Sequence, residues 1–136
     1  MSKAPLVASI LLGLVFFVFG LNGFLHFLTM PPMPEEAGAL MGALGATGYF
    51  FPVLKIVETV SGALLLSGMF VPLALILLAP VIVQIFLFHA VLAPGGIGLP
   101  IVLVILEAYL GFVAYRSSFV GVLSAKPAES VEDTSE

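Results

Sequence analysis

The chain has 136 residues, of which 61% are hydrophobic and only 9% charged, and its mean hydropathy is +1.26. Soluble domains are about 45–50% apolar and about 25% charged, and a chain this short cannot hide so much apolar surface in water. A soluble fold is therefore excluded in favour of a single-domain integral membrane protein. The absence of cysteine removes thiol relays, thiolate zinc sites and cysteine-ligated iron–sulfur clusters. Four basic residues in all leave no surface for nucleic acid, and the net charge of −4 comes mostly from the tail.

A helix needs roughly 20 apolar residues to cross the hydrocarbon layer. The first such run covers about 4–28, opening with Pro5 in a first-turn position and ending before the breaker "MPPMP". Its length exceeds the roughly 7–15 residues of a signal-peptide core, so it reads as a permanent anchor. Next comes "PEEAGALMGALGATGY", too short to span. Pro34 followed by Glu35 and Glu36 is a good helix start, and Leu40, Met41 and Leu44 form an apolar edge. A short interfacial helix over about 34–46 is expected, with Gly38 and Gly42 allowing close packing; an ordered loop is the alternative.

The second, third and fourth spans are predicted at about 50–69, 72–92 and 98–118. "SGMFVPL" separates the second from the third and "APGGIGLP" the third from the fourth. The fold class expected is an all-α, four-helix transmembrane bundle, followed by a polar, acidic, disordered tail over 119–136. Four spans put both termini on one side. Lys3, Arg116 and Lys126 flank that side, whereas 29–49 and 93–97 hold no Lys or Arg, so both termini are expected in the cytoplasm.

Depth can be counted at about 1.5 Å per helical residue. Lys55 and Glu58 then lie roughly 7 and 12 Å below the outer start of the second span, and Glu107 about 13 Å below that of the fourth. Asn22 and His26 fall in the last turns of the first span, and Gln84 and His89 in the outer half of the third. The candidate site is this polar layer of Glu58, Glu107, Lys55, His26, His89, Asn22 and Gln84. Asn22 and His26 share a helix face. Lys55, Glu58, Gly62 and Leu65 form one stripe, and Val104, Glu107, Gly111 and Ala114 another, whose small residues let a neighbouring helix approach. Gln84 and His89 are five apart, so their facing stays open.

Intramembrane ionisable residues are functional candidates by default, yet Lys55 and Glu58 also suit a structural ion pair. Glu107 has no basic residue at i±3 or i±4; it must be protonated, meet water, or pair across helices with Lys55, His26 or His89. No metal site is expected. His26 and His89 are the only histidines and so the only pair that could ligate a b-type haem, although neither sits in a haem motif.

Three stretches carry a family resemblance: "FVFGLNGFLHFL", "GATGYFFPVLKIVETVSGALLLSGMFVPLALILLAPVIV" and "FHAVLAPGG". Together they resemble the DoxX-like family of small four-helix bacterial membrane proteins, over nearly the whole chain to about residue 118. Glu58, Gly62, Leu64, Leu65 and Leu66 form the most characteristic piece. The resemblance implies a multi-pass protein of the bacterial cytoplasmic membrane, associated with membrane oxidoreductase complexes and quinone reduction. It supplies no catalytic set. The first function expected is therefore a quinone-interacting or accessory subunit of a membrane redox system, working in the lipid bilayer with a membrane protein partner or as a homo-oligomer. A non-enzymatic membrane adaptor or assembly factor is the second, and a small proton-coupled transporter the third.

Overall fold

Continuous apolar runs, without the alternation of a barrel strand, satisfy their backbone within each segment as helices, and the described residues form helices and no strands. The computed structural model describes residues 3–28 and 32–127. In chain order it contains α1 (Ala4–Leu25), α2 (Glu35–Ala46), α3 (Phe50–Ser67), α4 (Val71–Val91), α5 (Gly98–Tyr109) and the single turn α6 (Arg116–Phe119). Three of these, α1, α3 and α4, are long and apolar enough to cross a membrane.

The helix ends differ from expectation for local reasons. The first helix stops at Leu25, not at 28, because His26 turns into the left-handed region with φ of 51°. Asn22 fixes that stop: its carbonyl accepts the His26 N–H at 2.9 Å, and its Oδ1 accepts the Leu28 N–H at 2.7 Å. Gly68, at φ of 75°, ends α3 in the conformation that costs glycine least. The fourth predicted span is the larger departure. Its α-helix gives way after Tyr109 to a π-helical turn, Leu110–Ala114, closed by the Tyr115 N–H on the Leu110 carbonyl at 2.8 Å. Apolar helix, π turn included, thus extends over Gly98–Ala114, about 26 Å at 1.5 Å per residue, and not continuously to 118.

Helix α2 forms where a loop was the alternative, with Glu35 and Glu36 in its first turn. It rests on α3 with Gly45 beside the Phe51 ring, but not through Gly38 or Gly42. A Cβ added at Gly42 would meet nothing within 4 Å, so the close packing expected there is absent. Of the tail, 120–123 form a turn and 124–127 are exposed; the expectation of disorder for 128–136 falls outside the described residues.

Antiparallel α1 and α3 make the closest approach in the molecule. Gly13 lies under Leu65 and Gly62, Gly20 under Thr59, and Gly23 under Lys55. Ser9 Oγ donates to the Leu65 carbonyl at 3.0 Å across this contact. Helix α4 packs on α3 and α5 on α4, with α5 also touching α1. At the centre Leu12, Phe16, Leu65, Leu75, Leu78, Ile82, Leu103 and Leu110 form one buried apolar cluster.

Candidate functional site

The seven polar residues expected to share one layer are divided among four places. Lys55 and Glu58 stay together. Nζ of Lys55 donates to Oε2 of Glu58 at 3.1 Å, and this is the one ion pair among the described residues. Glu58 is 4% exposed. Gly23 is what admits the pair, because a Cβ there would sit 2.7 Å from Lys55 Cδ. The lysine stem therefore lies along bare α1 backbone. One turn on, Ser61 is fully buried and its Oγ has no hydrogen-bond partner among the described residues.

Asn22 and His26 form the second place, and their observed role is local. Asn22 caps α1 through the hydrogen bonds given above, while His26 is exposed at the helix end. Asn22→Ala is expected to cost about 1 kcal/mol, the usual worth of such a hydrogen bond. Thermal unfolding in detergent checks it, and an unchanged midpoint would remove the capping role.

Gln84 and His89 form the third place, a cleft of about 900 Å³ bounded by α2, the start of α3 and the second half of α4. The facing left open by their spacing is resolved: both line this cleft. Five helical residues separate them by about 140° around the axis, and the cleft is wide enough to include both. Phe50, Phe51 and Phe88 give it aromatic walls, with Leu40, Met41, Leu44, Leu54 and Pro80 completing the apolar surface. Nδ1 of His89 lies 2.8 Å from the Ile85 carbonyl. A carbonyl only accepts, so Nδ1 carries the hydrogen, and in the neutral imidazole Nε2 is then the nitrogen with the lone pair. Gly96 keeps that side of the ring clear, since a Cβ added there would lie 3.1 Å from Cδ2 and 3.5 Å from Nε2.

Glu107 is alone in the fourth place, a groove of about 360 Å³ between α4 and α5. Its Oε2 is buried without a hydrogen-bond partner. The cross-helix partner expected from Lys55, His26 or His89 is not there: Lys55 is engaged by Glu58, His26 is exposed at the end of α1, and His89 lines the other cavity. Of the small residues that follow Glu107, Ala114 packs against the apolar core, whereas Gly111 meets no neighbouring helix. A Cβ at Gly111 would meet nothing within 4 Å.

Of the two histidines considered for haem, His89 lines the α2–α3–α4 cleft and His26 is exposed at the end of α1. No cluster of three or more His, Cys, Asp or Glu residues suited to a metal ion occurs among the described residues. Two features escaped sequence reasoning. One is the α1 face of Gly13, Gly20 and Gly23, legible in principle from small residues at seven- and three-residue spacing. The other is the aromatic wall of the cleft, whose members come from two helices and carry no shared local signal. No protein-family model, curated protein or solved structure matches the chain.

Proposed function

We propose that the chain is a DoxX-like integral membrane protein that binds a quinone in the α2–α3–α4 cleft, as an accessory subunit of a membrane redox system. In this reading it crosses a bacterial cytoplasmic membrane four times, through α1, α3, α4 and the shorter α5 with its π turn, in a four-helix bundle. Helix α2 lies at the outer interface and both termini are cytoplasmic. The motifs named above and the distribution of Lys and Arg support that topology. A span of 17 residues is at the lower end of what crosses a bilayer, about 17–25.

The observation that carries the proposal is the pairing of Gln84 and His89 inside an aromatic-walled cleft. Binding sites for small lipophiles are about 300–1,000 Å³, mostly apolar, with a few convergent polar groups; the cleft has that size and composition. A quinone fits its chemistry. Aromatic rings offer offset or edge contacts to the quinone ring, and Leu40, Met41 and Leu44 offer an apolar path for the isoprenoid tail. His89 Nε2 can accept a quinol hydroxyl, and the Gln84 amide can donate to a quinone carbonyl. The bound quinone would supply the redox chemistry; the chain binds and orients it and accepts or returns a proton at Nε2.

Gentle purification with mass spectrometry of all co-eluting material tests this. Quinone is expected to co-purify, and His89→Phe with Gln84→Leu is expected to weaken its retention at least about tenfold, the loss of roughly one hydrogen bond's worth of affinity. Equal quinone in wild type and double variant would sink the site. The adaptor reading draws on a different observation. Lys55 and Glu58 are closed between α1 and α3 and line neither cavity, as suits a pair that sets helix register. A stable protein partner without quinone in the same purification would favour it.

A further inference from the structure

Gly95, Gly96 and Gly98 lie where α4 passes into α5. All three keep φ outside the left-handed region, so no backbone conformation there demands glycine. A Cβ added at Gly95 or Gly98 would meet nothing within 4 Å. At Gly96 it would meet the Cδ2 and Nε2 atoms of His89 and, its own chain neighbours aside, nothing else within 4 Å. Among these glycines, the one that a side chain needs is therefore Gly96, and the side chain that needs it is His89.

The ring cannot step aside without loss. Its Nδ1 stands on the Ile85 carbonyl at 2.8 Å, and it meets the Phe88 ring edge to face with centroids 5.2 Å apart. The connection is fixed to the same turn of α4. The Ala93 N–H reaches the Phe88 and His89 carbonyls at 3.2 and 3.3 Å, and the Gly96 N–H donates to the Ala93 carbonyl at 3.1 Å. Ring and loop are thus held by one helix end, and the fold sets the distance between them. A methyl group 3.1 Å from Cδ2 is well inside ordinary carbon–carbon contact of about 3.5–4.0 Å. The ring must then turn off the Ile85 carbonyl or sit pressed by the new carbon. Either outcome changes the aim of Nε2, the nitrogen that Ile85 leaves available.

We propose that Gly96 is a positioning residue for ligand binding in the α2–α3–α4 cleft: its missing side chain lets the His89 ring stay on Ile85 with Nε2 open to the ligand's hydrogen-bonding group. The inference rests on the quinone reading for the identity of the ligand alone; the fit of Gly96 to the ring does not depend on it. A side chain is tolerated at 98 and not at 96.

Diethyl pyrocarbonate, which acylates an imidazole nitrogen carrying a lone pair, reads the access to Nε2 without any ligand. The full chain in nanodiscs is treated with the reagent, with and without a short-tailed quinone. Modification of His89 is measured by peptide mass spectrometry against that of His26, which is exposed at the end of α1. In wild type His89 is expected to react and quinone to protect it. Gly96→Ala should slow the reaction at His89 severalfold relative to His26. It should also raise the quinone concentration needed for protection at least about tenfold, the worth of roughly one hydrogen bond. Gly98→Ala should match wild type in both. An unreactive His89 in wild type, or a Gly96→Ala protein that reacts and is protected like wild type, overturns the proposal. Slowed reaction in Gly96→Ala, with quinone protecting His89 in no variant, would keep the role of Gly96 and remove the quinone reading. Should Gly96→Ala lower the melting midpoint, the same change in a His89→Ala background should lower it no further, because the atoms it strikes are gone. A loss of equal size there also overturns the proposal.

Discussion

Gly62→Leu is expected to unfold or separate the α1–α3 pair, and even Gly62→Ala should lower stability by about 1–3 kcal/mol, the usual cost of overpacking. The reason is what a Cβ would strike. At Gly62 it meets the Phe17 backbone nitrogen, the Gly13 carbonyl oxygen at 2.8 Å and the Phe17 Cα at 2.9 Å. All three are backbone atoms, so no rotamer change relieves the contact and the helices themselves must part. Gly42→Ala is the matched control, because its Cβ meets nothing within 4 Å. There the gain in helix propensity, roughly 0.5–1 kcal/mol, should appear as slight stabilisation. Thermal unfolding of both variants in the same detergent, followed by size exclusion, makes the comparison. A Gly62→Ala protein as stable as wild type would mean that α1 and α3 do not approach as described.

Lys55→Leu is expected to be nearly as damaging, for an electrostatic reason. The ammonium is the one charged partner of a carboxylate that is 4% exposed. Removing one member of a buried pair leaves an uncompensated charge and costs about 3–5 kcal/mol. Removing both is a different matter: in Lys55→Leu, Glu58→Leu the site holds only apolar side chains, and much of that loss should return. The two singles and the double form a thermodynamic cycle, and their coupling should be well above the ~0.5 kcal/mol seen for independent sites. Additive losses would show that Lys55 reaches water at the helix end and leaves Glu58 to be neutralised in some other way.

Much of this architecture is legible in the residues. Apolar runs locate α1, α3 and α4 because their lengths match the helices that form, and Pro34 with two acids marks α2 because a first-turn proline and acids act locally. The Lys55–Glu58–Gly62–Leu65 stripe is likewise visible, since it depends only on helical spacing; it is the face that meets α1. Breaks set by single backbone conformations are not visible. His26 in the left-handed region and the π turn after Tyr109 interrupt runs whose hydropathy continues unchanged. The candidate site fared differently from the fold. Counting residues along an axis assigns depth, and depth put seven polar residues in one layer. It says nothing of the direction each faces around its helix or of which helices become neighbours. Hence Gln84 and His89 meet in one cleft, Glu107 faces another, and Asn22 turns back on its own chain. That Glu107 lacked a local partner was readable; that no other helix supplied one was not.

Photolabelling with a quinone analogue tests the central functional claim most directly. The full chain in nanodiscs is irradiated with a short-tailed azidoquinone and the adducts are mapped, with and without excess native quinone. The account predicts adducts concentrated on 40–51 and 84–89, displaced by the competitor and lost in the His89→Phe, Gln84→Leu variant. Adducts spread over outward-facing residues such as Val53, Ile56 and Leu87, and unaffected by competitor, would contradict it.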